Sequence, residues 1–136
     1  MQVRTMMQQA LVTVTPDTSL AQAQRLMRDR HIRHLPVVSG TRLLGIVTDR
    51  DIRDAIPSPA TTLSRGEIAY QLDTTSIQNC MSQEVVTVTP DTDIVSAARL
   101  LLEHKFGCLP VVRGQQLVGI VTDTDFLWAF LKLATT

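Results

Sequence analysis

The chain has 136 residues and a mass of 15.1 kDa, the size of one domain or of two very small ones sharing a core. Hydrophobic residues make up 44%, aromatics 4% and charged residues 19%, which excludes disorder and points to an aliphatic core that needs no metal or disulfide to fold. Thirteen Lys+Arg balance thirteen Asp+Glu, so the basic excess of a general nucleic-acid binder is missing.

The opening MQVRTMMQQA lacks the apolar stretch of a signal peptide, and no run of about 18 apolar residues offers a membrane span. A cytoplasmic protein is expected. Val12 and Val14 alternate with threonines, which predicts a short strand stopped by Pro16. Asp17, Thr18 and Ser19 are helix-starting residues, and Leu20, Ala23, Leu26 and Met27 follow at helical spacing. Residues 35–38 and 43–48 are β-rich runs separated by a turn at Ser39 and Gly40. A helix opens at Asp49 and is expected to bury Ile52, Ala55 and Ile56. Pro57, Pro59, Thr61 and Thr62 stop it. Ser64 with Glu67 offers a capping box and Leu63 with Ile68 a hydrophobic staple, predicting a short helix over 65–72. A return strand is expected near 75–79.

The remainder repeats the beginning. VTVTPDT stands at 12–18 and 86–92, LPVV at 35–38 and 109–112, GIVTD at 45–49 and 119–123, each pair 74 residues apart. Residues 7–56 align on 81–130 without a gap and with 25 identities. The second helix pair therefore carries Ile94, Ala97, Leu100 and Leu101, then Phe126, Ala129 and Phe130 as buried positions. The order strand, helix, strand, strand, helix makes too small a sheet to close a core alone. The predicted fold is α/β: two β-α-β-β-α repeats packed sheet to sheet with pseudo-twofold symmetry. The division is 1–56 for the first motif, 57–80 for a linker with a short helix and 81–136 for the second. No segment is left over for a catalytic domain.

These residues carry a resemblance. A strand ending in T-P-D, a helix, LPVV, then G-I-V-T-x-x-D opening a helix, all twice, resembles a pair of cystathionine beta-synthase (CBS) motifs. Such pairs form the regulatory halves of inosine monophosphate dehydrogenase and the gamma subunit of AMP-activated kinase. The Pro-Ser-Pro-Ala-Thr-Thr-Leu linker is also similar to that of small stand-alone CBS-pair proteins of the acetoin-utilisation type. The resemblance implies a tandem CBS pair that binds AMP, ADP, ATP or another adenosyl compound in a cleft between the motifs, with no enzymatic activity and no cofactor. It also implies a homodimer, stacked through helices, and an unidentified regulated protein. The alternative is a dimerisation or interaction module with no physiological nucleotide.

Thr48 with Asp51, and Thr122 with Asp125, form T-x-x-D at helix starts. A carboxylate can accept both hydrogen bonds of a ribose diol, while a threonine hydroxyl and free helix N–H groups suit a phosphate. The same spacing also serves helix capping. The resemblance assigns the Asp to the ribose and the Thr to the phosphate. It further places Arg33 and His34 at phosphate-reaching positions, with Pro36 and Pro110 in the stretches that line the cleft. The repeats differ here: Arg33, His34 and Arg50 become Gly107, Cys108 and Thr124. Residues 7–56 carry seven basic against five acidic residues, or +2, and 81–130 three against six, or −3. One dominant phosphate-bearing subsite is expected, although in a pseudo-twofold pair Arg33 could serve a ligand on Asp125. His31, His34 and His104 lack the spacing of a metal site. Ser64 and Ser96 have no histidine partner or nucleophile-elbow glycines. Cys108 reads as a small buried hydrophobe. The last helix, with Phe126, Trp128, Phe130 and Leu131, is apolar enough to predict an oligomer contact.

Overall fold

A computed structural model of the chain describes residues 1–57 and 62–135. Pro59 and Thr61, expected to stop the first repeat's last helix, lie outside the described residues. The elements run α1 Leu20–Arg30, β1 His34–Ser39, β2 Arg42–Thr48, α2 Asp49–Ala55, α3 Arg65–Thr74, α4 Ile94–His104, β3 Cys108–Arg113, β4 Gln116–Thr122 and α5 Asp123–Ala134. Two compact units emerge. One comprises Val12–Gly40 and Leu44–Glu84, the other Met1–Leu11, Thr41–Leu43 and Val85–Thr136.

The first-repeat unit is built on the β1–β2 hairpin, turned by Gly40 at φ +62°. That left-handed conformation costs glycine nothing because it has no Cβ. Ser19 caps α1 through a reciprocal capping box with Gln22. The buried face of α1, Leu20, Ala23 and Met27, meets Leu35, Val37, Val47 and Ile52 in one apolar core. Helix α3 packs on α1 and runs two residues beyond the predicted end. Its capping box is the predicted one, with Glu67 N donating to Ser64 Oγ and Ser64 N to Glu67 Oε1, both at 3.1 Å. Those contacts hold the exposed Glu67 carboxyl below its ordinary value.

Two predicted strands are not strands. Val14 makes a single parallel bridge to Val37, because Pro16 and the Thr15–Thr18 turn end the pairing after one rung. Residues 77–79 form a 3-10 turn that drives Ile77 fully into the core.

The second-repeat unit reproduces this core position by position. Val88, Ala97, Leu101, Leu109, Val111 and Val121 stand for Val14, Ala23, Met27, Leu35, Val37 and Val47. Its equivalent of Ile77 is Val3, likewise fully buried. Ile77 N donates to Thr18 O and Val3 N to Thr92 O, each at 2.8 Å. Each unit is thus closed by the segment that precedes the other repeat in sequence.

Burial on the last helices departs from expectation. Ile52 is buried, but Ala55 is exposed and Ile56 half-buried. Phe126 packs partly on its core, and Ala129 is half-buried. Phe130, predicted buried, is 64% exposed. In the first-repeat unit Ile52 and, in part, Ile56 reach the core, whereas on α5 Phe126 alone among the described residues packs against it.

Candidate functional site

In the first-repeat unit, β2 delivers Thr48 to the start of α2. Asp51 N donates to Thr48 Oγ1 at 3.1 Å and Thr48 N donates to Asp51 Oδ2 at 2.9 Å. The pair is a capping box, so the structural use of T-x-x-D is real. It does not exhaust the groups. A carboxylate has about four acceptor positions and a hydroxyl keeps its own proton to donate. Asp51 spends one position on the cap, and both residues remain partly open to solvent.

The helix starts themselves hold no free N–H for an anion. Asp49 N donates to Arg33 O at 3.0 Å, Arg50 N to Asp49 Oδ1 at 2.9 Å, and Asp51 N to Thr48. The other unit repeats this with Asp123 N to Gly107 O at 2.9 Å, Thr124 N to Asp123 Oδ1 at 2.8 Å, and Asp125 N to Thr122 Oγ1 at 3.3 Å. The expectation that free helix N–H groups receive a phosphate is therefore corrected. In each unit one donor goes to a backbone carbonyl, one to the carboxylate at the first helical position and one to the capping threonine hydroxyl.

Asp125 differs from Asp51 in one respect. Thr122 N donates to its Oδ2 at 2.8 Å, and Gln8 Nε2 donates to Oδ1 at 3.0 Å and Oδ2 at 3.2 Å. Gln8 is held there by backbone bonds, its N to Ile120 O at 2.8 Å and its O from Ile120 N at 3.0 Å. The approach needs Gly119 without a side chain: a Cβ there would come within 2.9 Å of Met7 Sδ and 3.1 Å of Gln8 O. The matching residue in the first-repeat unit is Ser82, paired with Ile46 across Gly45.

Arg33 lines a groove of about 380 Å³ between α1 and α2, together with Arg28, Arg53 and Asp49 over Met27, Ile32 and Ile52. Asp49 and Arg53 are 3.9 Å apart. Arg33 therefore belongs to a three-arginine groove as well as to the helix start that its carbonyl supports. His34 begins β1 half-buried. Pro36 and Pro110 are buried in their strands, their carbonyls accepting from Val14 N at 3.0 Å and Val88 N at 3.1 Å.

Cys108 lies in the second-repeat core, and burial, with the charge of Asp123, pushes its thiol up to about 12. Burial and then the charge of Asp51 push the half-buried Cys80 thiol up as well. Neither is activated as a nucleophile. Among the described residues no group of three His, Cys, Asp or Glu could hold a metal ion, and no helix is long and apolar enough to cross a membrane. Helix α5 presents Leu127, Trp128, Phe130, Leu131 and Leu133 to solvent, each about half exposed or more.

Comparison with known proteins agrees with this architecture. The CBS domain family matches residues 3–58 and 76–132. A CBS domain-containing protein of Dictyostelium discoideum is 33% identical over 133 residues, covering 96% of this chain and 92% of its own length. A Vibrio cholerae structure assigned to acetoin utilization (AcuB) superposes with TM-score 0.83 at 32% identity, over 98% of this chain and 93% of that one. The CBS-pair protein CBSX2 of Arabidopsis thaliana, in its complex with AMP, gives TM-score 0.79 at 28% identity over 98% of both chains. The chain belongs to the CBS domain family and is a tandem α/β CBS pair.

Proposed function

We propose that this CBS pair is a non-enzymatic regulatory module that binds an adenine nucleotide or another adenosyl compound through its ribose at Asp51 and Asp125. The observation that carries the reading is the pair of half-open T-x-x-D boxes. Each has a carboxylate with acceptor positions beyond those used in capping and a threonine hydroxyl with its own proton. The likeness to CBSX2, whose structure holds AMP, supports the choice of ligand class. A ribose diol donates two hydrogen bonds and fits a carboxylate. Phosphate charge then falls to side chains, since the helix N–H groups are taken, and Arg50 and Arg33 stand on either side of the Asp49 peptide in the first unit alone. Binding stabilises one conformation of a unit, and a regulated protein responds to that shift.

The exposed apolar face of α5 favours a second, compatible reading: a second copy of the chain docks there and the module works as a homodimer. A chain kept for dimerisation alone would bind no nucleotide.

Thermal shift separates a nucleotide-binding module from one kept for dimerisation alone. Adenosine, AMP, ADP, ATP and S-adenosylmethionine are each added in a concentration series, with 2′-deoxyadenosine as control. Ligand at a hundred times its Kd stabilises the folded state by about 2.7 kcal/mol. The expected result is a concentration-dependent rise in Tm for ribonucleosides that the deoxy compound fails to match. An unchanged Tm with every compound leaves the dimerisation module standing.

A further inference from the structure

The two carboxylates are not equally available. Asp125 receives three N–H contacts, one from Thr122 N and two from the Gln8 amide, which spans both of its oxygens. Asp51 receives one, from Thr48 N. The difference comes from a single aligned position. Gln8 and Ser82 are placed alike, each exchanging two backbone hydrogen bonds of 2.8–3.0 Å with the middle of a strand, Ile120 or Ile46. Only the longer side chain reaches the carboxylate of its unit. A diol approaching Asp125 meets acceptor lone pairs already pointed at an amide. The same diol approaching Asp51 meets a carboxylate with one oxygen unengaged by the described residues.

We propose that Gln8 is the specificity-determining residue of the second-repeat unit: its amide covers Asp125, so a ribose binds there only by displacing it, and the chain carries one strong and one weak adenosyl subsite. This rests on reading Asp51 and Asp125 as ribose acceptors. Gln8 is exposed, so its amide can turn out to water while its backbone stays paired, which makes the cover reversible. The amide exchanges its two contacts with the carboxylate for contacts with water on leaving, so the net handicap is modest, about three- to tenfold in affinity. The cover also needs no phosphate to act. It is therefore separable from the charge difference between the repeats.

The test is calorimetric titration with adenosine, which has the diol and no charge, into wild type, Gln8→Ser and Ser82→Gln. Gln8→Ser installs the residue found in the other unit, and Gln8→Ala serves as a second truncation. Wild type is expected to show two sites at least threefold apart. Gln8→Ser and Gln8→Ala should tighten the weak site three- to tenfold, and Asp125→Asn in the Gln8→Ser background should abolish that gain. Ser82→Gln should weaken the strong site by a similar factor. Equal sites in wild type, or a weak site that Gln8→Ser leaves unchanged or weakens further, would overturn the cover while leaving ribose binding intact. Absence of adenosine binding from every protein, wild type included, would remove the ribose reading itself and the cover with it.

Discussion

The two repeat units bury the same residues and expose different ones. Leu35 and Leu109, Val37 and Val111, Ala23 and Ala97 occupy equivalent places in two separate cores. On the outer helices the correspondence ends. Arg28, Arg33, Asp49 and Arg53 surround the α1–α2 groove, whereas the aligned positions of the second repeat hold Leu102, Gly107, Asp123 and Leu127. Leu102 is 79% exposed and Leu127 64%. Burial sets what the cores can hold, because a close-packed interior tolerates little change in volume. The surfaces are under no such packing constraint, and one is cationic while the other is apolar. Specialised binding belongs to the surfaces, and the cores explain only why the backbones agree.

The largest expected effect comes from erasing that surface difference. Replacing Leu127 and Trp128 with Arg and Asp puts the first-repeat residues, Arg53 and Asp54, on α5. The double variant should shift light scattering from dimer to monomer at micromolar concentration. Trp128 as an aromatic interface anchor is worth about 2 kcal/mol or more, and a twofold dimer loses it from both chains, so the dimer Kd should rise at least a hundredfold. A wild type that is monomeric at high micromolar concentration, or a double variant still dimeric, would remove α5 as the contact.

A smaller effect separates the units at their glycines. A Cβ on Gly45 would stand 2.5 Å from Ser82 O, a backbone atom, whereas at Gly119 the nearest atom is the flexible Met7 Sδ at 2.9 Å. Overpacking costs about 1–3 kcal/mol. Gly45→Ala should fall at the top of that range and Gly119→Ala at the bottom. Equal losses in urea unfolding would mean that the closing segments sit on the two sheets with equal slack.

Most of the fold is legible in the sequence because the repeat states it twice. Helical spacing at Leu20, Ala23 and Met27, the paired β runs and the Ser64–Glu67 box all appear as read. Legibility fails where the signal is one residue deep. Alternation predicts a strand at Val14, but a strand needs a partner and Val14 has one rung. The segments that close each core lie ahead of the aligned region, and Val3 and Ile77 share no neighbouring identities that would mark their exchange between units. Phe130 looked buried because periodicity gives a helix face, not the length of sheet beneath it. The T-x-x-D pairs were visible as residues. Their capping use is legible in the same spacing, whereas the Gln8 cover depends on a contact between positions 117 residues apart.

The central claim is that Asp51 and Asp125 accept a ribose. The direct measurement is calorimetric titration of AMP into wild type, Asp51→Asn and Asp125→Asn. Asparagine keeps an oxygen for the Thr48 or Thr122 cap, so folding is preserved while the charge is lost. A hydrogen bond to a charged group contributes about 1.5–3 kcal/mol. Asp51→Asn should therefore weaken the stronger site tenfold to a hundredfold, with a smaller loss for Asp125→Asn. Unchanged AMP affinity in both variants would contradict the assignment.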